Sequence, residues 1–177
     1  MEYNRALKIA ESIITRLQPH CERIKIAGSL RRQKQDVHDI EIVCIPKKIS
    51  VKEGLWEWKE YNCEGFVKAV NSYLHIKGDA LTGKYMQRGF SLGVGNDNVI
   101  NLDIFTATPE NWGFIYAIRT GSDRYSKRLV TQAKRFGYAM KDGTVYDLQR
   151  KPLRIEQEKD FFKICREKWI DPQYRVA

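Results

Sequence analysis

Two acidic side chains lie two positions apart in a stretch with the composition of a β-strand. Asp39 and Glu41 alternate with Ile40 and Ile42, so both carboxylates are expected to project from one face of the strand. Neighbouring carboxylates repel each other unless a cation lies between them, and hard oxygen ligands at this spacing suit Mg²⁺ or Mn²⁺. The pair is therefore a candidate metal site, although a solvent-facing sheet position explains such a pair equally simply.

A third carboxylate, Asp103, occurs in a second predicted strand, where Leu102 and Ile104 occupy the opposite face. Three converging carboxylates can hold two divalent ions about 3.5–4 Å apart. That arrangement stabilises both the attacking and the leaving oxygen in phosphoryl transfer. We therefore expect Asp39, Glu41 and Asp103 to be catalytic metal ligands.

A glycine, a serine and two arginines precede the acidic pair. Residues 28–32 read Gly-Ser-Leu-Arg-Arg, and Gly28 lies eleven positions before Asp39. Glycine lets the backbone approach a phosphate closely, amides at a helix start point towards an anion, and serine and arginine add donors and charge. Next to a carboxylate pair, this segment would bind a triphosphate beside a metal site.

The elements that must position these residues follow from hydrophobic spacing and turn residues. Periodicity near 3.6 predicts helices over residues 3–17, 64–74, 108–119, 123–136 and 156–169. Short apolar or alternating stretches predict strands over residues 24–27, 37–45, 85–94 and 99–105. The last two strands would form an antiparallel hairpin closed at 95–98, and a smaller hairpin would surround 141–143. Residues 47–63 have no assignment.

These elements predict an α+β fold in two parts. Residues 1–107 would form a mixed or antiparallel sheet with helices on one face, and residues 108–177 would form a smaller, more basic α+β subdomain. With 177 residues, 42% of them hydrophobic, the chain can bury a core in such an arrangement.

The composition excludes several classes of protein. No run approaches the roughly 18 to 20 apolar residues that span a bilayer, so we expect a soluble, intracellular protein without a membrane partner. The 31 Lys and Arg residues exceed the 22 Asp and Glu residues by 9, which favours phosphate-rich partners such as nucleic acids or nucleotides. The four cysteines and three histidines lack metal-ligand spacing, which argues against a zinc site.

Taken in order, residues 28–32, 39–43 and 102–104 resemble the signature of the DNA polymerase beta superfamily of nucleotidyltransferases. Residues 120–123 and 158–162 resemble the thumb of the X family of DNA polymerases, and residues 83–86 resemble the hairpin of its palm. The resemblance runs from about residue 24 to residue 175. It implies a nucleotidyltransferase palm over residues 1–107 and a thumb, or nucleotide-closing, subdomain over residues 108–177.

The resemblance also implies roles for individual residues. Asp39 and Glu41 would bridge two Mg²⁺ or Mn²⁺ ions, and Asp103 would bind the ion that activates the primer 3′-hydroxyl. The expected contacts to the incoming dNTP are Gly28, Ser29, Arg32, Gly121, Asp123 and Ser126. The basic face of the penultimate helix supplies the expected phosphate contacts to DNA, unless it is simply solvated: Lys127, Arg128, Lys134 and Arg135.

The function implied is template-directed DNA synthesis that fills short gaps in DNA repair, by a monomer acting on gapped or primer–template DNA. Only 27 residues precede Gly28, so the amino-terminal lyase module of larger relatives is not expected. The cytoplasm or nucleoid is the expected location, with a viral or phage origin left open.

Departures from the family pattern keep two alternatives open. Template-independent nucleotidyl transfer to DNA or RNA is favoured by Ile118, Arg119, Ser126 and Val130, which replace typical family residues. A nucleic-acid-binding protein with a decayed active site is favoured by Glu41, because the family usually has aspartate there.

Overall fold

The computed structural model describes residues 1–53, 56–72, 76–77, 85–91 and 99–176, and the structural statements that follow concern these residues. The helices are α1 (Tyr3–Leu17), α2 (Gly28–Arg31), α3 (Glu64–Asn71), α4 (Trp112–Thr120), α5 (Asp123–Arg135) and α6 (Glu158–Ile164). The strands are β1 (Cys21–Ile26), β2 (Asp39–Pro46), β3 (Lys48–Glu53), β4 (Glu57–Asn62), β5 (Ile76–Lys77), β6 (Tyr85–Ser91), β7 (Val99–Thr106), β8 (Ala139–Lys141) and β9 (Thr144–Tyr146).

A mixed sheet of five strands organises the first part of the chain. Its strand order is β1-β2-β7-β6-β5, with β2 and β7 parallel and the other neighbouring pairs antiparallel. The antiparallel pairing of β6 with β7 confirms the larger hairpin expected from the sequence. The α+β prediction is likewise confirmed.

The two faces of this sheet bury different sets of side chains. Ile40 and Ile42 of β2 pack with the apolar sides of α1 and α3. Alternation along the strand sends Val43 and Ile45 to the opposite face, where Trp112 of α4 packs against them. Because α4 belongs to the second part of the chain, this contact fixes the two parts against each other.

The second part has its own core, built by α4, α5, α6 and the β8–β9 hairpin. Its buried residues include Phe114, Leu129, Val145, Phe161 and Phe162. The rings of Phe114 and Phe161 meet edge to face with centroids 4.8 Å apart. This core supports the turn between α4 and α5, which carries several of the predicted site residues.

The predicted boundaries differ from the structure in several elements. The α1 bounds and the β8–β9 hairpin are confirmed. Helix α4 begins at Trp112 and not near Thr108, because the Asn111 side chain accepts a hydrogen bond from the Thr108 amide and forms a turn there. Helix α6 ends at Ile164 and not near residue 169, because Arg166 adopts a left-handed conformation with φ of 53°.

The unassigned residues 47–63 contain the antiparallel β3–β4 hairpin. Ile49 and Val51 of β3 alternate with polar residues, but this stretch is short and both faces of the hairpin are largely exposed. The predicted turn at 95–98 and residues 83–84 of the palm-like hairpin lie outside the described residues, as does the end of the helix predicted over residues 64–74. None of the helices in the described part of the chain is both long and apolar enough to cross a bilayer.

Candidate active site

The three candidate metal ligands lie on neighbouring strands. Parallel pairing of β2 with β7 places Glu41 opposite Asp103, and Asp39 opposite Asn101. Partners in register project to the same face of a sheet, so Glu41 and Asp103 are side by side and Asp39 lies two residues before Glu41. Further along this face Val43 and Phe105 are paired and buried. The carboxylates thus occupy the open end of a face whose other end is closed by α4.

The surroundings of Glu41 disfavour the ionised form of its carboxyl group. Burial and the negative charge of Asp39 raise its pKa to about 7, and Asp103 acts in the same direction. The guanidinium groups of Arg119 and Arg32 oppose this shift but do not cancel it. A further cation in this region would therefore be stabilised.

Gly28 begins α2 directly against Glu41. Its φ is +58°, a conformation that L side chains rarely adopt. A Cβ at this position would lie 2.0 Å from Oε2 of Glu41, so there is no room for a side chain. The Glu41 carbonyl also accepts a hydrogen bond from the Ala27 amide at 2.8 Å, which ties the strand-to-helix turn to the acidic strand.

Two polar groups that follow Gly28 have unused hydrogen-bonding capacity. The Ser29 side chain is 9% exposed, and its Oγ is buried without a partner among the described residues. Arg32 donates from Nη1 to the Thr120 carbonyl at 2.7 Å, while its Nε is buried and unpartnered among those residues. Burial lowers the pKa of Arg32, and the nearby Glu41 and Asp39 carboxylates oppose that shift. Unpaired buried donors cost about 1–3 kcal/mol each, so a ligand that accepts from them would be favoured.

A cleft of about 600 Å³ separates this part of the sheet from α4 and α5. One wall carries Arg32, Asp39 and Glu41. The predicted residues on the other wall are Gly121, Asp123, Ser126, Lys127 and Lys134. The volume lies in the range of small-ligand sites in proteins. The fold therefore brings eight predicted site residues, far apart in sequence, to one cavity.

Several of these residues already have partners. The Ser126 hydroxyl donates to the Ile118 carbonyl at 2.6 Å and so joins α5 to α4. Asp123 and Lys127 form an exposed ion pair one turn apart, with Oδ2 and Nζ separated by 2.7 Å. A nucleotide contact from Ser126 would thus have to use the hydroxyl's acceptor capacity or replace the bond to Ile118.

Two of the four predicted DNA contacts do not line the cleft. Arg128 pairs with both carboxylate oxygens of Glu167, at 2.5 and 2.8 Å, and its guanidinium lies 4.8 Å from the centre of the Tyr125 ring. Arg135 lies on the exposed surface of α5. Lys127 and Lys134, in contrast, share the side of the helix that faces the carboxylates.

Arg119 also lines the cleft, and the sequence pattern marked it only as a departure from the family. Its guanidinium lies 3.8 Å from the centre of the Phe105 ring and lowers the pKa of Glu41. Its neighbour Ile118 also lines the cavity. Only the parallel pairing of β2 with β7 brings Phe105 and Glu41 to one face, and the sequence did not define that register.

A second charged cluster, which we call the Glu158 joint, connects α2 to the C-terminal part; it comprises Glu158, Arg31, Arg175 and Thr120. Arg31 forms a bidentate pair with Glu158, at 2.8 and 2.7 Å, and donates to the Thr120 hydroxyl at 2.5 Å. Arg175 is fully buried and donates to Glu158 at 2.6 Å. Burial raises the pKa of Glu158, but the hydrogen bonds from Arg31 and Arg175 outweigh it and lower the pKa overall.

The carboxylates fit a divalent cation by the chemistry of their donors. All three are hard oxygen ligands, of the kind that Mg²⁺ and Mn²⁺ prefer, and burial together with the charge of Asp39 raises the pKa of Glu41, so a nearby cation would favour its ionised form. As the side chains stand, no group of three His, Cys, Asp or Glu residues within the described ranges has the geometry to hold a metal ion. Side-chain movement would therefore have to accompany metal binding.

Comparison with protein families identifies the C-terminal part of the chain. Residues 116–176 match the family model of the DNA polymerase beta thumb. Comparison with curated proteins gives no match. The matched region contains the second wall of the cleft and most of the Glu158 joint. It is an X-family polymerase-like region, which indicates a DNA-binding function related to that of polymerases.

Proposed function

We propose that the protein is a template-directed DNA polymerase that adds dNMP from dNTP to a primer 3′-hydroxyl and fills short gaps during repair. One observation carries the proposal: Glu41 and Asp103 are in register on adjacent strands, with Asp39 beside them and Gly28 against Glu41. The thumb-like region, which forms the facing wall of the cleft, supports DNA as the partner.

In this reaction the primer 3′-oxygen forms a bond to the α-phosphorus of the dNTP as the bond to the pyrophosphate oxygen breaks. Asp39, Glu41 and Asp103 would hold two Mg²⁺ or Mn²⁺ ions. When bound, these ions would favour loss of the hydroxyl proton and stabilise the charge on the leaving pyrophosphate. Acidic residues are needed because they would hold the cations close to the transferring phosphoryl group. The positive charge of the cations would then stabilise the negative charge of that group.

The chain's own donors would orient the nucleotide. Ser29 Oγ and Arg32 Nε are buried and have no partner among the described residues, so phosphate oxygens could accept hydrogen bonds from them. Gly121 and Asp123 would lie along the sugar and base at the other wall, with Ser126 beside them. A Cβ at Gly121 would lie 2.7 Å from the Ser126 hydroxyl, so that wall is already closely packed.

The second candidate is template-independent nucleotidyl transfer, to DNA or to RNA. Ile118 and Arg119 at the cleft favour it, because the guanidinium of Arg119 lies close enough to Glu41 to influence the carboxylate. A cation there could bind an incoming nucleotide without help from a template. The third candidate, a binding protein without catalysis, would retain the fold and the basic charge alone.

The test is extension of a labelled primer on single-nucleotide-gapped DNA, with Mg²⁺ and each of the four dNTPs in turn. We expect extension mainly with the nucleotide complementary to the template base. Extension with all four dNTPs, or with an RNA acceptor alone, would favour the second candidate. Tight binding of the gapped DNA without extension would favour the third.

Asp103→Ala is the matched loss-of-function variant. We expect it to lower extension by at least about 100-fold, because a carboxylate that stabilises the reacting charges is lost. Its affinity for gapped DNA should remain within a few-fold of wild type. Glu60→Ala is the control, since Glu60 is an exposed acid on β4, outside the cleft. Extension by Asp103→Ala near the wild-type rate would reject the metal-ligand assignment.

A further inference from the structure

The edge of the main sheet offers a second site, away from the cleft. Strand β1 is at the edge of the sheet, and within the described ranges it pairs with β2 on one side and with no strand on the other. Alternate backbone N–H and C=O groups of such a strand point outward and can pair with an added strand. At one end of this edge the Tyr116 hydroxyl donates to the Ile26 carbonyl at 3.1 Å, so α4 closes the edge there.

A groove of about 680 Å³ runs along this edge, and we call it the β1 groove. All six residues of β1, Cys21–Ile26, line it. Ile14 of α1 and Gln18, the residue that follows this helix, form one flank, and Arg31 and Tyr116 form the other. An edge strand at the base of a groove between two helices is the geometry that receives an extended peptide by strand addition.

The two flanks of the β1 groove differ in chemistry because side chains alternate along β1. Ile24 and Ile26 point to the face covered by α1 and pack with its apolar residues, next to the half-buried Ile14. Arg23 and Lys25 point to the opposite face, towards α4. The guanidinium of Arg23 lies 4.2 Å from the Trp112 ring, and Lys25 is exposed. One flank is therefore apolar and the other cationic.

We propose that the β1 groove binds an extended segment of a partner protein whose acidic and apolar side chains alternate. The backbone of the segment would pair with the free edge of β1. Its acidic side chains would face Arg23 and Lys25, and its apolar side chains would face Ile14 and Ile26. Glu22 is the one acid among the β1 residues, so the charge of the strand favours an acidic ligand.

This site is separate from the proposed catalysis. Arg31 lines the β1 groove, whereas Arg32, the next residue, lines the cleft. Helix α2 thus lies between the two, and a segment in the groove would leave the carboxylates accessible. A nucleic acid strand has no alternating amide donors and acceptors with which to pair with β1, so the backbone edge selects a peptide.

The test is fluorescence anisotropy with a labelled peptide of nine residues in which Glu and Val alternate. Two comparison peptides are needed: one with the same residues in a Glu block and a Val block, and one with N-methyl groups on alternate residues, which removes backbone donors. We expect the alternating peptide to bind at least about fivefold more tightly than either. Equal binding of the alternating and block peptides would overturn the proposal, because charge alone would then explain it.

Matched charge reversals locate the site. Lys25→Glu should weaken binding of the alternating peptide by about fivefold or more, whereas Lys8→Glu, on the exposed side of α1, should change it by less than about twofold. Amide exchange of β1 should slow when the peptide is bound. No binding at about 1 mM peptide, equal effects of the two reversals, or displacement of the peptide by a single-stranded oligonucleotide would each overturn the proposal.

Discussion

Glu41 and Glu158 are both substantially buried near the contact between the two parts of the chain, yet their surroundings shift the carboxyl pKa in opposite directions. Glu158 accepts hydrogen bonds from Arg31 and Arg175, and its pKa is lowered. Glu41 shares its surroundings with two other carboxylates, and its pKa is raised to about 7 although Arg32 and Arg119 are near. In the Glu158 joint two guanidinium groups surround one carboxylate, whereas around Glu41 the arginines do not outweigh burial and the neighbouring carboxylates, so a bound cation would be favoured.

The family match follows the same division. It includes Glu158, Arg175 and Thr120 of the joint, and stops short of the sheet that carries the carboxylates. The Glu158 joint requires several side chains to be placed together, since a buried guanidinium must be enclosed and hydrogen-bonded. The carboxylate site depends on a few side chains placed by strand register. The comparison predicts that damage to the joint lowers stability, and that damage to the cleft changes chemistry and pH response.

Glu158→Ala should give the largest change in stability. It leaves the guanidinium groups of Arg31 and Arg175 in a buried region without their counter-ion, which costs about 3–5 kcal/mol of unfolding free energy. Urea denaturation at pH 7 measures the loss. Glu167→Ala is the control, because its partner Arg128 is half exposed and the pair is expected to contribute less than about 1 kcal/mol. Equal losses in the two variants would contradict the distinction between the joint and a surface pair.

Glu41→Gln should remove a pH dependence of stability. The folded pKa of about 7 exceeds the ordinary value of 4.5, so between these values the folded state retains a proton that the unfolded state loses. The stabilising contribution of Glu41 is complete below pH 4.5 and is lost as the pH rises through 7, by ~3 kcal/mol in total. Glutamine does not titrate, so the variant should lack this decline.

Unfolding free energies at several pH values between 4.5 and 8, with EDTA present, compare wild type with Glu41→Gln. Glu60→Gln is the matched control, since it removes an exposed glutamate of β4. We expect the control to follow wild type and Glu41→Gln to gain stability relative to both as the pH rises. If all three curves run parallel, the charge of Glu41 is better compensated than its raised pKa indicates.

The sequence predicted the parts of the site that depend on local pattern. Alternation in β2 indicated that Asp39 and Glu41 share a face, and the glycine at position 28 indicated a close approach of the backbone. The sequence could not predict that Glu41 lies opposite Asp103. These residues are 62 positions apart, and pairing between distant strands leaves no local pattern. The same limit hid the Glu158 joint, in which Arg31 and Glu158 are 127 residues apart.

Local patterns also failed where several interactions compete. Thr108 and Pro109 have the form of a helix start, yet the Asn111 side chain forms a turn there and α4 begins one residue later, at Trp112. The basic run of α5 indicated four DNA contacts, but Arg128 pairs with Glu167 from the C-terminal segment. Composition identifies a charged helix; the position of its acidic partners decides which charges remain for a ligand.

Arg32→Ala should act on the nucleotide rather than on DNA. A charge-assisted hydrogen bond to phosphate contributes about 1.5–3 kcal/mol, so the apparent KM for dNTP should rise by about 10- to 100-fold. The Kd for gapped DNA should change little. Lys34→Ala, which removes an exposed cation just after α2, is the control. Steady-state extension with varied dNTP and a separate DNA titration distinguish the effects, and parallel losses in both would exclude a triphosphate role.

Lys127→Ala and Arg128→Ala provide the finest test, because they remove one positive charge each from adjacent positions of α5. Lys127 faces the cleft, whereas Arg128 is held by Glu167. If DNA lies along the cleft, Lys127→Ala should weaken binding by a few-fold and lower the slope of log K against log salt by about 1. Arg128→Ala should leave that slope unchanged and lower stability by about 1 kcal/mol or less. A reversed pattern, in which Arg128→Ala lowers the salt slope and Lys127→Ala does not, would put DNA on the other side of α5, away from the carboxylates that are proposed to act on it.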